Sequence, residues 1–159
     1  MPPADFRRLV TALVAHDVQF IVVGGVAAVI QGAPVATFDL DIVPELSPEN
    51  VAALTTALEE LNAVYRERPE LSPDRAALAT RGHKLLVTDA GPLDVLGAIG
   101  QDEEFGDLAE HALTVEAWGM AIQVLDLASL IRIKEMTGRD KDRAVLPLLK
   151  RTLQESSDG

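Results

Sequence analysis

The chain has 159 residues, 25 acidic and 14 basic side chains, a formal charge of -11 and no cysteine. The missing cysteines exclude a disulfide scaffold, a thiolate zinc site and a cysteine nucleophile. The net negative charge argues against coating nucleic acid or an anionic membrane, since both need a basic surface. With 48% hydrophobic residues, a single domain of this length buries a full core.

Residues 3–15 read as a helix. Pro3 suits a first turn, Asp5 suits the positive end of the helix dipole, and Phe6, Leu9, Val10 and Leu13 recur at helical spacing. Phe20–Val23 reads as a central strand buried on both faces, ended by Gly24-Gly25. A short helix from Val26 to Gln31 stops at Gly32 and Pro34. Phe38–Val43 alternates strictly and predicts a second strand, with Phe38, Leu40 and Ile42 turned into the core. Ser47 caps a helix whose stripe is Val51, Leu54, Leu58 and Leu61. Residues 63–66 read as a strand and 67–82 as a polar loop or short helix. His83–Thr88 and Leu93–Ile99 read as strands joined by Asp89-Ala90-Gly91-Pro92.

Residues 101–112 read as an acidic, solvated helix. Two short strands flank Trp118-Gly119, which reads as core or hairpin packing. Segments 126–137 and 140–153 then form a helical hairpin, and the tail from Glu155 reads as frayed. The fold class is α/β (α+β), a mixed β-sheet flanked by helices. No stretch is apolar for long enough to cross a bilayer, and the N-terminus lacks a basic region followed by an apolar core. The expected location is the cytoplasm.

Asp39 and Asp41 carry the chemistry. Residues i and i+2 of a strand share a face, so the two carboxylates stand side by side, with Cα atoms about 7 Å apart. Charges of one sign on an apolar strand need a cation between them, and oxygen ligands suit Mg²⁺ or Mn²⁺. Asp94 is a third acid inside an apolar strand, the only charged residue between Gly91 and Gly100. If its strand neighbours that of Asp39 and Asp41, three carboxylates converge in a geometry that can hold two metal ions about 4 Å apart for in-line displacement at phosphorus. An EF-hand fails because Val43 and Pro44 occupy its third ligand and glycine positions. Glycines 24, 25 and 32 do not have dinucleotide-fold spacing. The Asp-x-Asp of nucleotide-sugar glycosyltransferases also fits, though those domains are usually larger.

Val22-Val23-Gly24-Gly25-Val26-Ala27, Gly32-Ala33-Pro34, Thr37-Phe38-Asp39-Leu40-Asp41, Gly91-Pro92-Leu93-Asp94 and Val124-Leu125-Asp126-Leu127 through Lys134, Gly138, Arg139, Lys141 and Asp142 together resemble the minimal nucleotidyltransferases. These belong to the DNA polymerase β-like superfamily, whose bacterial branch includes abortive-infection toxins of the AbiEii type. The resemblance spans residues 16–150. It implies a nucleotidyltransferase fold. Length and the polar C-terminus lead to the expectation of one domain, residues 1–154, with 155–159 as a disordered tail. The resemblance also implies metal-binding Asp39 and Asp41, Asp94 as third carboxylate or general base, and nucleotide contacts at Gly24, Gly25 and Thr37. Two departures stand out. The family's usual Gly-Ser is Gly24-Gly25, which removes a hydroxyl, and Val35 stands where many relatives have an arginine.

Phosphate contacts are therefore sought in the C-terminal hairpin. Residues 130–151 hold seven of the 14 basic residues and three acids, a local +4. Lys134 and Asp142 fall on the apolar sides of adjacent helices and should meet. They form either a buried structural ion pair or a device in which Asp142 aims Lys134 at a triphosphate, with Arg139 or Lys141 assisting. His83 reads as a surface or capping residue, with substrate contact as the alternative. The expected activity is metal-dependent transfer of a nucleoside monophosphate from a nucleoside triphosphate to an RNA or protein hydroxyl. A toxin acting on tRNA, with an antitoxin partner, is one form of it. The rival is a nucleotide-binding regulatory module of the same fold without turnover.

Overall fold

The computed structural model describes the backbone of residues 2–158 and the side chains of all of these except Lys141, Ser157 and Asp158. The elements run α1 (Phe6–Ala15), β1 (Phe20–Val23), α2 (Gly24–Ile30), β2 (Leu40–Pro44), α3 (Pro48–Glu60), β3 (Val64–Tyr65) and α4 (Arg75–Leu78). They continue β4 (His83–Thr88), β5 (Gly91–Leu96), α5 (Phe105–Ala109), β6 (Ala112–Ala117), β7 (Met120–Leu125), α6 (Leu127–Thr137) and α7 (Asp140–Asp158). The strands form one seven-stranded mixed sheet in the order β3-β4-β5-β2-β1-β7-β6. β1 pairs antiparallel with β2 and parallel with β7, and β2 pairs parallel with β5.

Local chemistry explains most boundaries. Asp5 lies outside α1 as its cap, its carboxylate accepting from the Arg8 amide, so the helix starts at Phe6 and not at residue 3. Ser47 caps α3 as its sequence position suggests, and Asp126 caps α6. All four β1 residues are buried because the strand has a neighbour on each side and a core on each face. Leu9, Leu13, Ile21, Leu40, Ile42, Leu54, Leu86 and Leu93 are fully enclosed in one continuous core.

Several expectations are corrected. Phe38 is not a core residue: β2 starts only at Leu40, and Phe38 is 61% exposed. The Phe38 carbonyl accepts instead from the Ala4 amide at 2.8 Å, outside the sheet ladder. β5 is shifted towards the turn, starting at Gly91 and ending at Leu96, while Ile99 exchanges backbone hydrogen bonds with Glu103. That bridge and the left-handed Asp102 cut the acidic helix of 101–112 down to five residues, Phe105–Ala109. Trp118 occupies the β6–β7 turn. α7 runs to Asp158, and Gly159, the end of the expected tail, lies outside the described residues. No helix among the described residues is long and apolar enough to cross a membrane.

Candidate functional site

The parallel pairing of β2 with β5 sets Asp41 directly opposite Asp94. Residues opposite one another share a sheet face, and adjacent strands lie about 4.8 Å apart. Asp39, just before β2, reaches the same point, so carboxylate oxygens of Asp39, Asp41 and Asp94 all lie within 4.8 Å of one another. The condition set by the sequence, that the two strands be neighbours, is met.

The three acids are not equivalent. The Asp39 side chain is 39% exposed and that of Asp94 15%. Asp41 Oδ1 is buried and without a hydrogen-bond partner. Burial, followed by the charge and hydrogen bond of Asp94 and the charge of Asp39, pushes the Asp41 carboxyl up to about 8, while Lys134 opposes this. A buried acceptor facing two further carboxylates is an environment that a divalent ion with oxygen ligands would satisfy.

The glycine pair is shaped by this cluster. Gly24 has φ +66°, and a Cβ there would overlap Asp41 Oδ2. A Cβ on Gly25 would come within 2.6 Å of Thr37 Oγ1 and 2.8 Å of Thr37 Cβ. The space that a serine side chain would fill is therefore taken by Thr37, whose hydroxyl lies 3.4 Å from the Asp39 carbonyl.

A cleft of about 200 Å³ extends from Asp41 and Gly24 to the C-terminal hairpin. Its apolar walls include Leu96, Ile99, Leu130 and Ile133, and its polar lining includes His83, Lys134, Thr137, Arg139 and Asp142. Asp142 is only 2% exposed and organises that end. Its carboxylate accepts from Lys134 Nζ at 3.2 Å, Thr137 Oγ1 at 2.6 Å and Arg139 Nε at 3.0 Å. Burial would raise its pKa, but these three hydrogen bonds outweigh burial and hold it at about 2. The expected meeting of Lys134 and Asp142 is observed. Lys134 also acts on Asp41, which links the hairpin to the carboxylates.

The basic wall is thinner than the composition implied. Arg132 donates to Glu103 at 3.0 and 2.8 Å, Lys150 pairs with Glu135 at 3.0 Å, and Arg143 lies 4.0 Å from Asp140. Lys134 and Arg139 are the hairpin cations that line the cleft. Lys141 has its backbone in the first turn of α7, and its side chain lies outside the described residues. His83 lines the cleft with Nε2 3.0 Å from the Ala98 carbonyl.

One residue escaped the sequence reading. Arg66, just beyond β3, donates from Nη2 to Asp94 Oδ1 at 2.7 Å and to the Leu86 carbonyl at 3.0 Å. Its Nη1 lies 3.9 Å from Asp39 Oδ2, and its Nε is buried without a partner. The only sequence signal was its position at the end of a strand in a polar stretch.

No protein-family model and no curated protein matches the chain. Solved structures do. A provisionally assigned nucleotidyltransferase of Thermotoga maritima superposes with a TM-score of 0.58 at 21% identity, over 94% of this chain and 91% of that one. The antibiotic-resistance factor ANT(2'')-Ia gives a TM-score of 0.59 at 15% identity, over 93% of this chain and 84% of that one. At these identities the likeness is one of fold, and the fold is that of the nucleotidyltransferases.

Proposed function

We propose that the protein is a metal-dependent nucleotidyltransferase whose centre is Asp39, Asp41 and Asp94. The observation that carries this reading is the convergence of three carboxylates from neighbouring strands, one with an orphaned buried oxygen, beside a cleft with a fixed lysine. The fold shared with nucleotidyltransferases supports it. Mg²⁺ or Mn²⁺ held by these residues would supply charge neutralisation at the reacting phosphoryl group.

The chain's own groups have separate tasks in this reading. Lys134, held by Asp142, neutralises charge on the triphosphate and on the leaving pyrophosphate, with Arg139 on the same carboxylate and Lys141 assigned an assisting role from the sequence. Gly24 and Gly25 let the backbone approach a phosphate, and Thr37 supplies the hydroxyl that the glycine pair lacks. The apolar cleft walls receive the nucleoside. An acceptor hydroxyl oxygen bonds to the α-phosphorus, the bond to the β-phosphate bridge breaks, and pyrophosphate departs. Asp94 either ligates the ion or takes the acceptor's proton. His83 and Leu85 stand exposed on β4 next to Asp94, so this side of the sheet admits a large acceptor such as RNA or a protein. Action on tRNA as a toxin restrained by an antitoxin is the specific form we favour, resting on the sequence motifs.

The test is transfer of label from α-labelled nucleoside triphosphates, with Mg²⁺ or Mn²⁺, into RNA or lysate protein. Labelled acceptor is expected from the wild type and not from Asp39→Asn with Asp41→Asn. Transfer that survives the double substitution removes the proposal, and triphosphate binding without any transfer leaves the regulatory module. Growth arrest on induced expression that persists in the double variant removes the toxin reading.

A further inference from the structure

Arg66 has no task in this mechanism, yet among the described residues it is the cation in direct contact with the triad. Its position is built. The Arg66 amide donates to the Leu85 carbonyl at 2.9 Å, which fixes the backbone beside β4. The Leu86 carbonyl then holds Nη2 from one side while Asp94 Oδ1 takes it from the other. The second terminal nitrogen points to Asp39 Oδ2. The side chain is 24% exposed, so it is no free surface arm. A guanidinium does not lose its charge in proteins, so this contact is permanent in sign.

Charge and geometry then limit what the triad accepts. When ionised, three carboxylates facing one guanidinium leave two negative charges, which one divalent ion balances. A second ion at the Asp94 and Asp39 edge would have to displace the hydrogen bond on Asp94 Oδ1 and sit against a fixed positive charge. Resting on the reading of the triad as a metal centre, we infer that Arg66 is a built-in counter-cation filling the place of a second metal, so that the nucleotide-free protein takes up one divalent ion and not two. Arg66 is a positioning residue in this sense: it sets how many ions the carboxylates hold and which Asp94 oxygen stays free.

The experiment is titration of the intact, nucleotide-free protein with Mn²⁺, counting free ions by electron paramagnetic resonance and heats by calorimetry. Wild type and Arg66→Lys, which keep a cation, are expected to bind one ion per chain. Arg66→Gln is expected to bind a second, because removing a unit charge beside a divalent ion strengthens that position roughly tenfold or more at protein-surface dielectric. If Arg66→Gln does not fold by circular dichroism, Arg66→Met, which keeps the apolar stem, is titrated in its place. Two ions in the wild type, or one ion in both the charged and the neutral variants, overturns the inference and leaves the proposed activity standing. No Mn²⁺ bound to the wild type or any variant removes the metal centre, and the inference with it.

Discussion

Replacing Asp142 by Asn tests the anchor on which the cleft cation depends. The carboxylate is 2% exposed and accepts from Lys134, Thr137 and Arg139. It is held at about 2 in the folded protein, against 3.8 for an ordinary aspartate. A folded-state pKa depressed in this way contributes stability that is present above the unfolded value and lost as pH falls through the folded one. At about 1.4 kcal/mol per pKa unit, the charge contributes about 2.4 kcal/mol at pH 7 and roughly half that at pH 3. Arg139 is 65% exposed, so solvent screens part of this, and about 2 kcal/mol is the expected loss in Asp142→Asn at pH 7. That corresponds to a fall in Tm of roughly 4–8 °C for a chain of this size. The assay is urea unfolding of wild type and variant at several pH values between 7 and 3. The gap should shrink as pH drops from about 4 towards 2. A gap of equal size at pH 7 and pH 3 would show that shape, not charge, is what Asn lacks, and no gap at pH 7 would refute the anchoring role outright.

Other perturbations bear on separate parts of the site. Gly25→Ser drives a Cβ into Thr37 and should cost about 1–3 kcal/mol by thermal unfolding, with Thr37→Ala in the same chain recovering only part of it, because alanine keeps the Cβ that lies 2.8 Å away. Phe38→Ser, at an exposed position, should change stability by no more than about 0.5 kcal/mol, whereas Leu40→Ala in the core should cost about 2–5 kcal/mol. Because the Asp41 carboxyl is raised to about 8 in the metal-free protein, it is protonated at pH 6 and must release that proton to bind an ion. Mn²⁺ affinity should therefore climb close to tenfold per pH unit between about 6 and 8 and level off above, as calorimetry would show.

The parts of the site legible in the sequence are those carried by short-range pattern. Alternation through Leu40, Asp41 and Ile42 places Asp41 opposite the core, and the isolated acid at Asp94 marks the second strand. Helical spacing brings Lys134 and Asp142 onto facing sides of a hairpin whose turn is announced by Gly138. The parts that were not legible depend on distant pairings. Arg66 meets Asp94 through the registers of β3 with β4 and β4 with β5, which local periodicity does not encode. Phe38 continues the strand's alternation, but the ladder does not reach it because Ala4 takes its carbonyl. Arg132 looks like part of a basic wall until Glu103, brought near by the bridge to Ile99, occupies both its terminal nitrogens.

The most direct test is a crystal of the protein grown with Mn²⁺ and a triphosphate whose α–β bridge resists cleavage, read by anomalous scattering. An anomalous peak ligated by Asp39, Asp41 and Asp94, with the triphosphate running along the cleft to Lys134, is the expected result. A triphosphate bound elsewhere, or bound in the cleft with no metal at the three carboxylates, would contradict the assignment of the site.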